Sequence, residues 1–233
     1  MISNENALIE IVEQNPWIYE HLNYDVRSNR KIAKAALMEA AEMLEFAPDC
    51  ITDDKELVCL ALEGAWVFSY ASYRLQHDKE VIMYAIEQGT VSMDELDEEF
   101  LEDLEILYKV VLCMPYEFTN FVEELREDRE IALNCVKIDG RIYQYLNDEL
   151  QADLDIVEEA IRHEMPLSWI SKDKVEGYED IISDPELVLC AIKHNGKNEL
   201  LYASEELRND KEFVEEVMRI LKELYENEEE EEE

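Results

Sequence analysis

LLYASEELRND, residues 200–210, nearly repeats FSYASYRLQHD, residues 68–78, and both stretches close on an aspartate. Working outward from Asp78 and Asp210, an Asp or Asn recurs at Asn4, Asn29, Asp54, Asp78, Asp103, Asp128, Asp153, Asp184 and Asp210, at spacings of 25, 25, 24, 25, 25, 25, 31 and 26 residues. Three, four, seven and eight residues after every one of these anchors stands an apolar residue, as at Leu57, Val58, Ala61 and Leu62 or at Leu187, Val188, Ala191 and Ile192. That spacing is one face of an α-helix. The anchor is its N-cap, whose side-chain oxygen accepts from an otherwise unpaired backbone N–H. Glu56, Glu80, Glu105, Glu130, Asp155, Glu186 and Glu212 follow two residues later, where negative charge suits the positive end of the helix dipole.

Stop signals follow, with Gly or Pro ten to thirteen residues after most anchors, at Pro16, Gly64, Gly89, Pro115, Gly140, Pro166 and Gly196. After most of these breaks an apolar residue stands ten, seven and three residues before the next anchor, as at Phe68, Ala71 and Leu75, at Phe118, Phe121 and Leu125, or at Leu200, Ala203 and Leu207. This pattern predicts a second helix of two to three turns. The fold expected is therefore all-α, an α-solenoid of about eight to nine stacked 25-residue helical hairpins, because one hairpin cannot bury its apolar face alone. A doubly wound α/β fold shares the period but lacks the β-branched runs for its strands. The chain reads as one helical-repeat domain over 1–225, followed by an unstructured acidic tail at 226–233 that ends in six consecutive Glu. The interval from Asp153 to Asp184 is longer by about six residues, through LSWISKDKVEGYEDIISD, and an insertion of this kind reads as a loop, either a binding element or plain surface.

DPELVLCAIKHNGKNELLYASEELRNDKEFV, residues 184–214, resembles an uncharacterised helical-repeat family of bacteria and viruses, and Asp54 to Val81 follows the same pattern. The repeats of that family read roughly D-x-E-[VI]-[VL]-x-A-[VI]-x-x-[ND]-G, then L-x-[YF]-A-[SD]-x-x-L-[RK]-x-D. Units between residues 90 and 165 keep the apolar skeleton and lose YAS. The resemblance implies a helical-repeat fold and brings no catalytic residues with it.

Charge narrows the function. The chain holds 59 acidic and 21 basic residues, a net charge of −38. Direct binding to nucleic acid or to an anionic membrane is excluded on that count, since phosphate binding needs Lys and Arg to displace counterions. The expected partner is a basic protein, for instance a nucleic-acid-binding enzyme. The first residues show no basic segment before an apolar run, and no stretch approaches 18 consecutive apolar residues, so a cytoplasmic protein is expected. Five cysteines without CxxC spacing agree with a reducing compartment.

No enzyme chemistry emerges. GxxxxGK[ST], GxGxxG, GxSxG and HExxH are absent, and His21, His77, His163 and His194 lie in different units, so neither cofactor nor metal is expected. Cys135 takes a slot that Ala61, Ala85, Ala160 and Ala191 fill elsewhere and reads as core. What stands out is DELDEEFLEDLE, whose Asp94, Glu95, Asp97, Glu98, Glu99, Glu102, Asp103 and Glu105 put eight carboxylates in twelve positions. Like charges this close oppose a helix. Nine units at a helix spacing of 8–10 Å would span on the order of 80 Å. That places roughly one net charge every 2 Å, close to the 1.7 Å of duplex DNA. These eight residues are the candidate partner-binding site of a nucleic-acid mimic, of the kind phages and mobile elements direct against host nucleases. The alternatives are a scaffold that binds a peptide on a concave face, with acidity serving solubility, and adaptation to high salt.

Overall fold

A computed structural model describes the backbone of residues 2–231 and the side chains of 5–224. It is all-α, with no strand among the described residues and no helix long and apolar enough to cross a membrane. Among the described residues nine long helices carry the repeat: α1 (Ile2–Gln14), α2 (Arg30–Glu39), α3 (Lys55–Leu62), α4 (Lys79–Gln88), α5 (Leu104–Cys113), α6 (Arg129–Ile138), α7 (Leu154–Arg162), α8 (Pro185–Asn195) and α9 (Lys211–Glu231). Seven of the anchors, Asn29, Asp54, Asp78, Asp103, Asp128, Asp153 and Asp184, cap their helices through a side-chain oxygen. Asp210 does the same for the Phe213 amide at 2.8 Å. Asn4 differs, because α1 begins before it and the residue falls inside the helix. The acidic tail expected at 226–233 lies outside the residues described in full.

The chain forms two compact units, Met1–Met114 and Pro115–Glu233. In the first, α1 to α5 lie side by side in chain order, and in the second α6 to α9 do. The repeated apolar positions are the core of each: Leu57, Val58, Ala61 and Leu62 are fully buried, as are Val81, Ile82, Ala85 and Ile86 in the next helix and Ile156, Val157, Ala160 and Ile161 in the second unit. Ile11 and Met218 occupy the same positions in α1 and α9 and are exposed, each helix having a long-helix neighbour on one side only.

The second half of each repeat departs from the hairpin expectation. In place of a helix of two to three turns most repeats have a 3₁₀ turn, two residues of extended backbone and a single α-turn, whereas in the interval with the insertion Leu167–Trp169 is followed by the helix Tyr178–Ser183. In one repeat these are Phe68–Tyr70, then Ala71 and Ser72 at ψ of 155° and 153°, then Tyr73–Gln76. A continuous helix is stopped by a second cap six residues before the anchor. The side chains of Asn23, Ser72, Asn147 and Ser204 accept there from the amides of Val26, Leu75, Leu150 and Leu207. Ser and Asn compete for backbone in this way wherever a helix is short. The serine of each YAS motif is thus a cap, which explains why the quoted stretches are alike.

Among the expected stops, Gly89 ends α4 in the left-handed conformation (φ 66°), as glycine does best. Gly140 serves otherwise. It opens the 3₁₀ turn Gly140–Tyr145 and donates its amide to the His163 carbonyl at 2.7 Å, backbone against backbone. Pro16 and Pro115 likewise begin 3₁₀ turns, each two residues after the last residue of the long helix before it. The inserted segment folds back on the preceding repeat: Val175 is buried and Lys174 Nζ bonds Asp148 Oδ1 at 2.6 Å. Beside it the buried Glu199 accepts the Leu167 amide at 2.7 Å.

Glu199 is a buried carboxylate with one hydrogen bond, and burial, opposed in part by the Leu167 amide, raises its pKa above the ordinary value. A raised value in the folded state means that the stability it permits is complete below the ordinary carboxylate range and is lost as pH rises through the folded value. Glu199→Gln keeps an acceptor for Leu167 and removes the charge. Its midpoint at pH 7 is expected to exceed that of the parent by about 2–4 °C, the equivalent of ~1 kcal/mol. The gap should close toward pH 4 in a thermal melt.

Candidate functional site

The N-terminal ends of the long helices carry ion pairs from one repeat to the next. Arg30, the first residue of α2, donates from Nε to Asp54 Oδ2 at 2.6 Å and from Nη2 to Glu56 Oε2 at 2.5 Å. Lys55 Nζ bonds Asp78 Oδ2 at 2.8 Å and Glu80 Oε2 at 2.6 Å. Lys79 Nζ lies 2.7 Å from both Asp103 Oδ2 and Glu105 Oε2. In the second unit Arg129 Nε bonds Asp153 Oδ2 at 2.6 Å, and its Nη2 bonds Asp155. Each cation stands one residue after its own anchor and bridges the next anchor to the acid two residues beyond. The pattern is in the sequence, as a base following Asn29, Asp54, Asp78 and Asp128, and was legible there.

Each of these anchors therefore does two things with one carboxylate. Asp54 Oδ1 accepts from the Leu57 amide at 3.3 Å while Oδ2 holds Arg30. The Arg30 bond holds the Asp54 carboxyl below the usual range, and Arg129 does so for Asp153. At Asp78 and Asp103 burial pulls the other way, but the lysine and the backbone amides together outweigh it. Depressed folded values put this stabilisation fully in place above the ordinary carboxylate range and remove it as pH falls through those values. Asp54→Asn is expected to keep the cap and lose only the Arg30 pair. Asp54→Ala should cost about 1 kcal/mol more than the asparagine in urea denaturation, the usual worth of a cap.

The row of cations breaks where Leu104, Leu154 and Pro185 take the position after the anchor. Leu154 is exposed at 42% and borders Gly177 of the insertion, where a Cβ would stand 3.4 Å from its Cδ2.

The eight candidate carboxylates divide into two sets of four. Asp103 caps α5 through the Glu105 amide at 2.9 Å and pairs with Lys79, which Glu105 shares. Glu95 Oε2 accepts the Ser92 amide at 3.0 Å in a capping box. Asp97 Oδ2 lies 2.6 Å from His77 Nε2. The bond from the His77 ring to the Tyr73 carbonyl, and then Asp97, raise the pKa of that imidazole. The others, Asp94, Glu98, Glu99 and Glu102, are exposed and form no ion pair among the described residues. Two of them, Glu98 and Glu99, are the first two residues of a single α-turn. The equivalent turns of the second unit begin with Glu123 and Glu124, Asp148 and Glu149, and Glu205 and Glu206, and in Tyr178–Ser183 Glu179 and Asp180 follow the first residue. The acidity is thus periodic: at four anchors it is neutralised by the preceding repeat, and in the single α-turns Asp148 and Glu179 pair with Lys174 and Lys172 while the other acids form no ion pair among the described residues.

Cys135 is buried, and burial alone pushes its thiol up to about 12. Among the described residues no group of three or more His, Cys, Asp or Glu is placed to hold a metal ion.

A family model described as Domain of unknown function (DUF4116) matches residues 54–101, 103–151, 128–173 and 184–227. The chain belongs to the DUF4116 family. Every matched segment opens on an anchor aspartate, Asp54, Asp103, Asp128 or Asp184, so the DUF4116 unit begins at the helix cap and spans about two of the intervals seen here. Two matches overlap by one interval, as a tandem repeat allows. Asp94 to Leu101 lie in the first matched segment and Asp103 to Glu105 in the second, so the acidic stretch straddles a junction of DUF4116 units. No curated protein and no solved structure matches the chain.

Proposed function

We propose that the chain is an α-solenoid of stacked 25-residue units that acts as a non-enzymatic acidic interaction protein, a nucleic-acid mimic that fills the basic groove of a DNA- or RNA-binding protein. The observation that carries this reading is the uncompensated row. Arg30, Lys55, Lys79 and Arg129 are engaged by the anchors, and Asp94, Glu98, Glu99 and Glu102 face solvent with no ion pair among the described residues. A polyanion of this kind steers a basic partner quickly and with strong salt dependence. A phage or mobile-element inhibitor of a host nuclease or defence system, working in the cytoplasm, is the setting that fits. The test is capture from native lysate on the immobilised chain. Basic nucleic-acid-binding proteins should be retained and then released by duplex DNA or moderate salt, whereas retention of neutral proteins indifferent to both would overturn the reading.

A peptide-binding scaffold is the second reading. It is favoured by large side chains left exposed in the first unit, Trp17 at 53%, Trp66 at 57% and Tyr73 at 76%.

A further inference from the structure

Within the first unit, the segments Ala41–Thr52 and Phe68–Gln76 of successive repeats leave a groove of about 770 Å³ between them. Buried Leu44 and Ala71 are among its lining residues, together with the exposed Tyr70 and Tyr73, and Glu45 and Asp49 give it negative charge. Asp53 also borders it but is already matched, by Ser72 Oγ and by Arg74 Nε at 2.9 Å. Glu45 and Asp49 form no ion pair among the described residues. Glu45 lies near enough to Tyr70 to raise the pKa of its phenol, which holds that ring and that carboxylate together. The two tyrosines stand eight and five residues before the anchor Asp78, and no other repeat has Tyr at both positions: the pairs are His21 and Tyr24, Phe46 and Asp49, Glu95 and Glu98, Asn120 and Glu123, Tyr145 and Asp148, Glu176 and Glu179, Tyr202 and Glu205. The groove is thus a local feature of this repeat, set apart from the periodic acidity.

Aromatic rings beside unpaired carboxylates over an apolar floor attract one kind of group. An alkylammonium or guanidinium gains from the ring faces and from the carboxylates, and its methylene stem covers apolar surface. We propose that this groove docks a lysine- or arginine-bearing peptide segment, with the cationic side chain against Tyr70, Tyr73, Glu45 and Asp49. Charge complementarity selects this occupant. A neutral or acidic peptide would leave two carboxylates uncompensated beside apolar surface, and a nucleic acid would be repelled. The inference builds on the peptide-binding reading and is independent of mimicry, which uses other residues.

The test uses the full chain and a short capped peptide carrying two lysines, with a counterpart in which norleucine replaces both. Binding is followed by calorimetry in roughly 0.15 M salt, where long-range attraction is largely screened. Cys50, an exposed residue that lines the groove, serves as a local reporter through its rate of reaction with a thiol reagent. The lysine peptide is expected to bind saturably and to slow labelling of Cys50, and the norleucine peptide to do neither. Tyr73→Ala with Tyr70→Ala should weaken binding about tenfold, from a few-fold per ring, and Glu45→Lys should weaken it at least as much. Glu45→Lys guards against a folding artefact, because it alters one exposed side chain and leaves both rings in place. Equal binding by the norleucine peptide, unchanged affinity in the variants, or unchanged Cys50 labelling at peptide saturation would each overturn the proposal. Amidation of the eight carboxylates from Asp94 to Glu105 is expected to leave peptide binding intact. Loss of peptide binding there, with the tyrosine variants unaffected, would assign the contact to the acidic row and overturn the groove.

Discussion

Replacing Gly140 by alanine is expected to destabilise the fold by about 3 kcal/mol, the upper part of the range for forcing extra volume into a packed site. A Cβ at this position would stand 2.2 Å from the Ala160 carbonyl oxygen and 2.3 Å from that of His163. Both obstacles are backbone at the end of α7, so no side chain can rotate out of the way. The Gly140 amide also donates to one of those same carbonyls, and relief by separation would break that bond. Gly64 provides the control, since a Cβ there meets nothing nearer than Ala41 Cβ at 3.5 Å. Gly64→Ala should be neutral, or stabilising by about 0.5 kcal/mol through the unfolded chain. Urea denaturation of the two variants separates them, and equal midpoints would show that the α7 end does not press on Gly140.

The division of the eight carboxylates carries the second large effect. Amidation of Asp94, Glu98, Glu99 and Glu102 is expected to leave the thermal midpoint unchanged or slightly raised, because like charges are removed and no ion pair is broken. Against a captured basic partner the same variant should lose on the order of a hundredfold in affinity, from roughly threefold per exposed charge. Amidation of Glu95, Asp97, Asp103 and Glu105 should do the reverse. It removes the Lys79 and His77 pairs and weakens the box at Ser92, so the midpoint falls while binding changes less. The comparison distinguishes carboxylates that hold the repeat from those free to meet another molecule.

The long helices were legible because their signal is redundant. A capping Asp, an acid two residues on and apolar residues at fixed distances all mark the same start, and eight of the nine anchors behave as read. The second half of the repeat was misread because the spacing of Phe68, Ala71 and Leu75, three and then four residues, fits an α-helix as well as a 3₁₀ turn followed by an α-turn. What decides between them is Ser72, and a serine is a cap only if the preceding backbone is already extended, which periodicity does not report. Gly140 does follow the end of α6, and its further role is not legible because its companion, the carbonyl of His163, is 23 residues away and the contact is one of backbone. The eight acids formed one set in the sequence for a similar reason. Whether Asp103 is neutralised depends on Lys79, one repeat earlier, and the matching interval becomes informative only once helices α4 and α5 are known to lie side by side.

Competition for a nucleic-acid site puts the mimicry reading to its most direct trial. A basic nucleic-acid-binding protein captured on this chain is loaded with fluorescent duplex DNA, and anisotropy is followed as the chain is added. The parent should displace the DNA at one-to-one stoichiometry, with an affinity that falls steeply as salt rises. The variant lacking the charges of Asp94, Glu98, Glu99 and Glu102 should need on the order of a hundred times more protein. A ternary complex in which DNA stays bound, or displacement that ignores those four residues, would contradict the account.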